Sequence, residues 1–390
     1  MRLIHTSDWH LGRRLFDQEL IEDQAAFCTW LLEQALHHEV DAVVVAGDVY
    51  DRAVPPLEAV QLLDHTFASF AAAGVPLLVT SGNHDSAIRL GFGSELSEAA
   101  GIHLRTSVTD IDRPLVLTDE HGEVALYGIP YLLPDAVMSE LGAQRSHTSV
   151  LSKAVERIRT DATRRGIGRT VVAAHAFVTG AATCESERDI RVGGIADADV
   201  GVFEGISYVA LGHLHGRQTL NAPAGTSAGY SGSPLAFSFS ERHHTKSVTL
   251  IDLDAVGGVS TTLLPVPVAR PLRELRGRLD DLLTRANGDL ADVGDDWVKV
   301  VLTDPARPAD PMQRLRAVWP RTIVLDFAPE GGLVGADDDL ARLATLTDPL
   351  EICAQFVAYV DNARPDPAAL AVLRGAVEAA TAGDNEEARI

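Results

Sequence analysis

The chain has 390 residues but only three cysteines, Cys28, Cys184 and Cys353. Their spacings match no zinc knuckle and no thiol-redox pair, and the odd count argues against a disulfide framework. Reduced, structural thiols and a cytoplasmic setting are expected. There is no run of 18 apolar residues, so no helical membrane span is expected. The N-terminus turns polar at His5 and carries no apolar stretch of the signal-peptide kind. Positive charge is scarce: 33 Lys and Arg stand against 55 Asp and Glu, a net charge of -22. That balance weighs against a chain that holds nucleic acid with its own basic surface, because phosphate contacts need Lys and Arg. A bound metal pair adds local positive charge, and a partner can supply basic surface. Internal repeats and low-complexity tracts are also missing.

What is present is an alternation of apolar strands and helices over residues 1–268. Short apolar runs occur at Leu3–Ile4, Ala42–Ala46, Pro76–Val79, Val171–Ala174 and Tyr208–Leu211. Residues 18–38 carry Phe27, Trp30, Leu31 and Ala35 at helical spacing, and residues 57–73 are similar. Continuous rather than alternating apolar strands imply a sheet covered on both faces. The reading is a layered α/β domain, buried β-structure flanked by helices.

A break follows at "LPVPVARP", Leu264–Pro271. Beyond it, a helix-like "RGRLDDLL", a strand "WVKVVL" (Trp297–Leu302), a helix near "PMQRLRAVW" and a strand "RTIVLDF" (Arg321–Phe327) predict a small α/β domain over residues 269–330. Residues 331–337 read as a linker. The segment 338–390 reads as helical, with two amphipathic stretches that each begin at Asp-Pro, a cap and first-turn signal.

Each major apolar strand runs into metal-ligand residue types. Asp8 and His10 follow Leu3–Ile4, and their i, i+2 spacing would put both on one face of a strand. "GDVYDR" brings Asp48, "SGNHD" brings Asn83 and His84, "VVAA" is followed by His175, and "GHLH" brings His213 and His215. Open α/β sheets build their sites beyond the carboxyl ends of strands. Any one of these fragments alone would read as a turn or a surface pair; five together point to a metal site. Asp8, His10, Asp48, Asn83, His175, His213 and His215 are seven donors of oxygen and imidazole, without sulfur. One zinc takes three or four ligands, so seven fit two metals sharing a carboxylate. The donor set favours manganese, iron or zinc over copper. Glycines before Asp48, Asn83 and His213 permit tight turns and close backbone approach.

The blocks D-x-H, GD-x-x-D, GNHD, a lone His and GH-x-H resemble the calcineurin-like metallophosphoesterases. "MRLIHTSDWHLG", "VDAVVVAGDVYDR", "VALGHLH", "YSGSPLAFSFSE" and "DPLEICAQFVAYV" resemble the SbcD family of bacterial nuclease subunits, related to the Mre nucleases. The resemblance implies one metal held by Asp8, His10, Asp48 and His215, and a second held by Asp48, Asn83, His175 and His213. It implies manganese as the ion and His84 as a catalytic residue aimed at the scissile phosphate. In related phosphatases the aspartate three after the bridging one orients that histidine, which makes Asp51 the expected partner of His84. It further implies DNA as substrate, with exonuclease action on duplex ends and endonuclease action on single strands or hairpins in repair and recombination. The 269–330 domain would cap the site and touch DNA, and the C-terminal helices would bind an SbcC-type ATPase. The chain would form a homodimer within a heterotetramer, with helices near 57–73 and 86–100 at the contact. Arg13, Arg14, Arg52, Arg89, Arg188 and Arg191 are candidate phosphate contacts.

Two other readings compete with this one. A generic phosphoesterase acting on small-molecule or protein phosphates shares the metal motif, but has no need of a 120-residue C-terminal extension. A non-catalytic interaction module on the same fold would have lost ligands, and all seven are intact here.

Overall fold

The computed structural model describes residues 1–178, 185–187, 198–268, 270–329, 346, 348–361 and 364–387. Cys184, Arg188, Arg191 and the expected linker at 331–337 lie outside these residues. The chain divides into two compact units, Met1–Ala269 and Arg270–Ile390.

The first half of unit one contains β1 (Arg2–Thr6), the short ribbon β2 (Arg14–Leu15) and β3 (Gln18–Glu19), β4 (Ala42–Ala46), β5 (Leu77–Thr80), β6 (Ile102–Arg105), β7 (Leu115–Asp119) and β8 (Gly122–Ile129). Its second half adds β9 (Arg169–His175), β10 (Tyr208–Gly212), β11 (Gln218–Leu220), β12 (Ser227–Tyr230), β13 (Ser247–Leu253) and β14 (Val259–Pro265). Two six-stranded sheets result, ordered β14-β13-β1-β4-β5-β6 and β11-β12-β10-β9-β8-β7. In the first, β1, β4, β5 and β6 are parallel; β13 is antiparallel to β1, and β14 to β13. In the second, β8, β9, β10 and β12 are parallel, with β7 and β11 antiparallel at the edges.

The continuous apolar strands follow from this layering. Val43 and Val45 of β4 pack with Phe27 and Leu31 of helix Ile21–His37 and with Leu63 and Phe70 of helix Leu57–Ala73. Ala42, Val44 and Ala46 point the other way, into a core shared with Val171 and Ala173 of β9 and Ala210 of β10. Val172 and Ala174 of β9 face outward onto Val150, Ala154 and Ile158 of helix His147–Arg165. The order is helix, sheet, sheet, helix. Each buried Val or Leu contributes about 1.5–3 kcal/mol, so both faces of the central strands must be apolar. Trp9 is fully buried against Phe27 on the helix side, as expected for the residue between Asp8 and His10. Polar side chains also bridge the sheets, among them His5. The ring of His5 on β1 reaches the Tyr208 hydroxyl with Nδ1 (3.0 Å) and the Leu211 carbonyl with Nε2 (3.1 Å), both on β10.

Unit two holds the parallel sheet β15 (Leu272–Gly277), β16 (Trp297–Leu302) and β17 (Thr322–Phe327), in that order. Helices Leu279–Arg285 and Pro311–Arg316 supply Leu279, Leu282 and Leu315 to a core with Val298, Val300 and Trp319. The helix expected over "RGRLDDLL" starts at Leu279, and β15, which overlaps only Arg276 and Gly277 of that stretch, was not expected. Its buried residues, Leu272 and Leu275, are three apart with polar residues between them, which imitates helical spacing. Further on, the two Asp-Pro signals start helices Pro349–Asp361 and Pro367–Glu387. Asp348 accepts the Leu350 N–H (3.0 Å) and Asp366 the Ala369 N–H (2.8 Å). Among the described residues no helix is long and apolar enough to cross a membrane.

Candidate metal centre

The seven expected ligands gather at the carboxyl ends of strands from both sheets. β1 ends at Thr6, so Asp8 and His10 do not sit on a strand face as their spacing suggested. They lie in the loop beyond it, with left-handed backbones (φ 53° and 45°). That loop is zipped to the one after β4: the N–H groups of Asp8, His10 and Leu11 donate to the carbonyls of Gly47, Asp48 and Val49 at 3.1, 3.0 and 2.9 Å. Asp48 (φ 49°) and His213 (φ 114°) also have positive φ. Such conformations cost about 1–3 kcal/mol each and persist only where the surroundings enforce them. Two glycines are set by close approach. A Cβ on Gly82 would fall 2.1 Å from Asp48 Oδ1, and one on Gly212 would fall 1.8 Å from the Ala46 carbonyl oxygen.

Asp48 is the hub. Its Oδ1 accepts the His84 backbone N–H (2.8 Å). Its Oδ2 faces Nε2 of His175 (3.5 Å), His10 (3.6 Å) and His84 (4.0 Å). On one side, Nε2 of His10 and Nε2 of His215 are 3.1 Å apart. On the other, Asn83 Oδ1 lies 2.9 Å from Nε2 of His175 and 3.2 Å from Nδ1 of His213. Asp8 accepts the His213 backbone N–H on both oxygens (3.0 and 3.1 Å) and the Ser7 hydroxyl (2.5 Å). Donor atoms come within 4.8 Å of one another in three groups: Asp8, His10 and His215; Asp8, Asp48 and His175; His10, Asp48 and His84.

The donors fit divalent cations by a test internal to the site. Nδ1 of His175 faces the Ala46 carbonyl (3.0 Å), which can only accept, so Nδ1 carries the hydrogen. Burial lowers the pKa of His175 to about 4, leaving the ring neutral and Nε2 a bare lone pair. That lone pair points at another acceptor, Asn83 Oδ1. Burial also pushes the Asp8 carboxyl well up, and Asp48 adds to the effect. Lone pairs and carboxylates converging in a dry pocket are stabilised by a cation between them.

Asp51 departs from its expected contact. Nδ1 of His84 meets the backbone carbonyl of Asp51 (2.6 Å), while the Asp51 carboxylate lies 3.5 Å from Nδ1 of His10 and 3.5 Å from the Arg13 guanidinium. The expected carboxylate–His84 pair is therefore corrected. The "GDVYDR" turn offers His84 a carbonyl and directs the side chain to a ligand instead.

Comparisons with known proteins bear on this geometry. Residues 1–217 match the family model described as calcineurin-like phosphoesterase, and residues 268–360 match one described as type 5 capsule protein repressor C-terminal domain. The chain is a calcineurin-like phosphoesterase. The family's match, residues 1–217, spans the strand ends that carry all seven expected donors. The chain is 29% identical over 337 residues to SbcD, the D-type subunit of the SbcCD nuclease, from Staphylococcus epidermidis, covering 83% of this chain and 85% of that one. The expected resemblance to SbcD thus extends into both units. Two solved structures are similar over 68% of this chain: a calcineurin-like phosphoesterase from Bacillus subtilis (13% identity, 90% of that chain, TM-score 0.40) and a dimetal phosphatase from Danio rerio (12%, 99%, 0.41).

This phosphoesterase also uses residues to which no role was assigned from sequence. Asp85 of "GNHD" accepts the N–H groups of Val49, Tyr50 and Gly82 (3.1, 2.8 and 2.8 Å), pinning the two metal loops together. Burial, then Asp48, raises its pKa to about 7. His215 is backed by the stretch "YSGSPLAFSFSE" and by Lys246 just beyond it. Its Nδ1 reaches the Ser186 hydroxyl (2.7 Å), which donates to Glu241 (2.6 Å). Buried Lys246 donates to the His215 carbonyl (3.0 Å), to Ser233 (2.9 Å) and to Glu241 (2.5 Å). Burial alone would raise the Glu241 carboxyl; its contacts with His215 and Lys246 outweigh that and lower it. Phe237 packs edge-on against the rings of both His10 and His215. The resemblance of this stretch was legible in the sequence; its task of holding His215 was not.

Proposed function

We propose that this phosphoesterase is the DNA-hydrolysing subunit of an SbcCD-type complex. The observation that carries the reading is the seven-donor cluster centred on Asp48, on a chain related to an SbcD subunit over 83% of its length. Asp8, His10, Asp48 and His215 would hold one divalent ion, and Asp48, Asn83, His175 and His213 the other; the oxygen and imidazole set suits manganese, iron or zinc, and the resemblance to SbcD favours manganese among them. When bound, such a pair neutralises phosphodiester charge and activates water.

The chain's own groups do the rest. Asp8 is held by Ser7 and the His213 N–H, and His175 by the Ala46 carbonyl, so the ligand atoms are aimed before substrate arrives. With its Nδ1–H given to the Asp51 carbonyl, His84 presents Nε2 toward the site. Protonated, it delivers that proton to the departing oxygen of the cleaved strand.

Partners follow from exposed apolar surface. Ile352, Phe356 and Val372 on the C-terminal helices are 37%, 60% and 73% exposed, which suits an SbcC-type ATPase that covers them. Leu57, Ile88, Phe92 and Leu96 are 79–88% exposed on helices Leu57–Ala73, Ala87–Leu90 and Ser94–Ala99 and the turn between the last two, which suits a homodimer contact. The test is cleavage of blunt and hairpin DNA with manganese, with and without the ATPase and ATP, beside a chromogenic phosphodiester. Turnover of the small diester with no turnover of DNA under any of these conditions would refute the reading.

A further inference from the structure

Beside the donor cluster lies an open groove of about 440 Å3, lined by Gly12, Arg13, Arg14, Asp51, Arg52 and His84. Three guanidinium groups and one carboxylate meet there, in a chain of net charge -22. Local excess of positive charge against that background calls for a physical reason.

The three arginines are held differently. Arg13 is fixed: it donates to the Ser186 carbonyl (2.8 Å), lies 3.5 Å from Asp51 and stacks 4.9 Å above the Phe237 ring. Arg14 is tethered to the Asp17 carbonyl (2.7 Å) and lies 3.8 Å from exposed Glu19. Arg52 is exposed and has no hydrogen bond or ion pair to any described residue. The turn beside it is braced, because Arg89 donates to the Ala53 carbonyl (2.7 Å). His84 is shared: it lines the groove, and its Nε2 is 4.0 Å from Asp48 at the centre of the cluster.

The geometry points to a subsite for a second phosphate. We infer that Arg13, Arg14 and Arg52 bind the phosphodiester next to the one at the metal cluster, so that the site selects a strand with consecutive phosphates over a compound carrying one. This rests on the proposed DNA-hydrolysing function and specifies how that site recognises its substrate. Guanidinium groups suit the task because they stay charged and offer paired donors to phosphate oxygens. One preset and one unpartnered arginine would fix the strand's direction across His84 at little cost in rearranging protein contacts.

The test uses the full chain and single-stranded oligonucleotides with one uncharged methylphosphonate linkage, placed in turn on either side of the cleaved bond. At one position the substitution should lower kcat/KM by about 10- to 100-fold, the range of one charge-assisted contact. In Arg52→Ala the same linkage should cost little more, because the partner is already gone. Anisotropy of labelled oligonucleotides on chelated protein should show the same pattern in affinity, independently of turnover. Additive losses in Arg52→Ala, or no loss at either linkage, with DNA still cleaved, overturn the subsite alone. A nucleoside diphosphate that competes as well as a dinucleotide assigns the groove to an anhydride and also overturns it. Failure to cleave DNA at all brings down the functional reading and the subsite with it.

Discussion

Asp51 serves two histidines with two different atoms: its carbonyl oxygen is 2.6 Å from Nδ1 of His84, and its carboxylate is 3.5 Å from Nδ1 of His10. A carboxylate behind the distal nitrogen of a ligand histidine raises the ligand's basicity and fixes its ring. Replacing Asp51 by Ala keeps the carbonyl and removes the carboxylate. Manganese affinity, measured by calorimetry, should fall by about 10- to 100-fold. Asp51→Asn should recover part of it. Unchanged affinity together with lost turnover would return the carboxylate to a role at His84.

His84 is the converse case. Its side chain lines the groove, while its backbone N–H is the part that touches Asp48 Oδ1. His84→Ala retains that N–H. Metal binding should survive, and phosphodiester hydrolysis should drop by about 10²-fold or more. Loss of the metals in this variant would make His84 a ligand.

Glu241 and Lys246 form a buried ion pair behind His215. Removing one partner leaves the other charged and dry, at a cost of about 3–5 kcal/mol. Urea unfolding should show Glu241→Ala strongly destabilised, and Glu241→Leu combined with Lys246→Met much less so. If the double variant is as unstable as the single one, the pair is holding the loop by geometry rather than by balancing charge.

His5 should make the metal-free protein acid-sensitive. Burial lowers its pKa to about 3 from an ordinary 6.5, with only the Leu211 carbonyl opposing. The folded state then binds fewer protons than the unfolded one. Its contribution is intact above about pH 6.5 and is lost as pH falls toward 3, by up to about 1.4 kcal/mol per pH unit. Unfolding of chelated protein between pH 7 and 5 should show this slope, and His5→Gln should flatten it. Buried His175 and His215, each at about 4, act in the same direction, so an unchanged slope in His5→Gln would assign the effect to them.

The parts that were legible in the sequence share one property: the signal was local. An apolar run followed by a glycine and a ligand marks a strand end wherever it occurs, and this placed Asp48, Asn83 and His213. What stayed hidden depends on contacts across the chain. β14 is a mostly exposed edge strand, "VSTTLLP", with none of the apolar continuity of β4. That Glu241 backs His215 rests on contacts between segments apart in the chain, through the Ser186 hydroxyl, which no local pattern encodes. The choice between the carbonyl and carboxylate of Asp51 is a matter of turn geometry that residue type does not encode.

The donors divide by layer. Asp8, His10, Asp48 and Asn83 follow strands of the first sheet; His175, His213 and His215 belong to the second. Neither sheet alone carries either of the proposed ligand sets, so a metal centre built from them would act as a gauge of how the two layers are aligned. A slip of one residue between the layers, about 3.3 Å, would move the donors of one sheet out of reach of those of the other. Metal affinity is therefore a readout of the seam between the sheets, and substitutions buried there, such as at Val44 or Ala173, should register at the site without touching it.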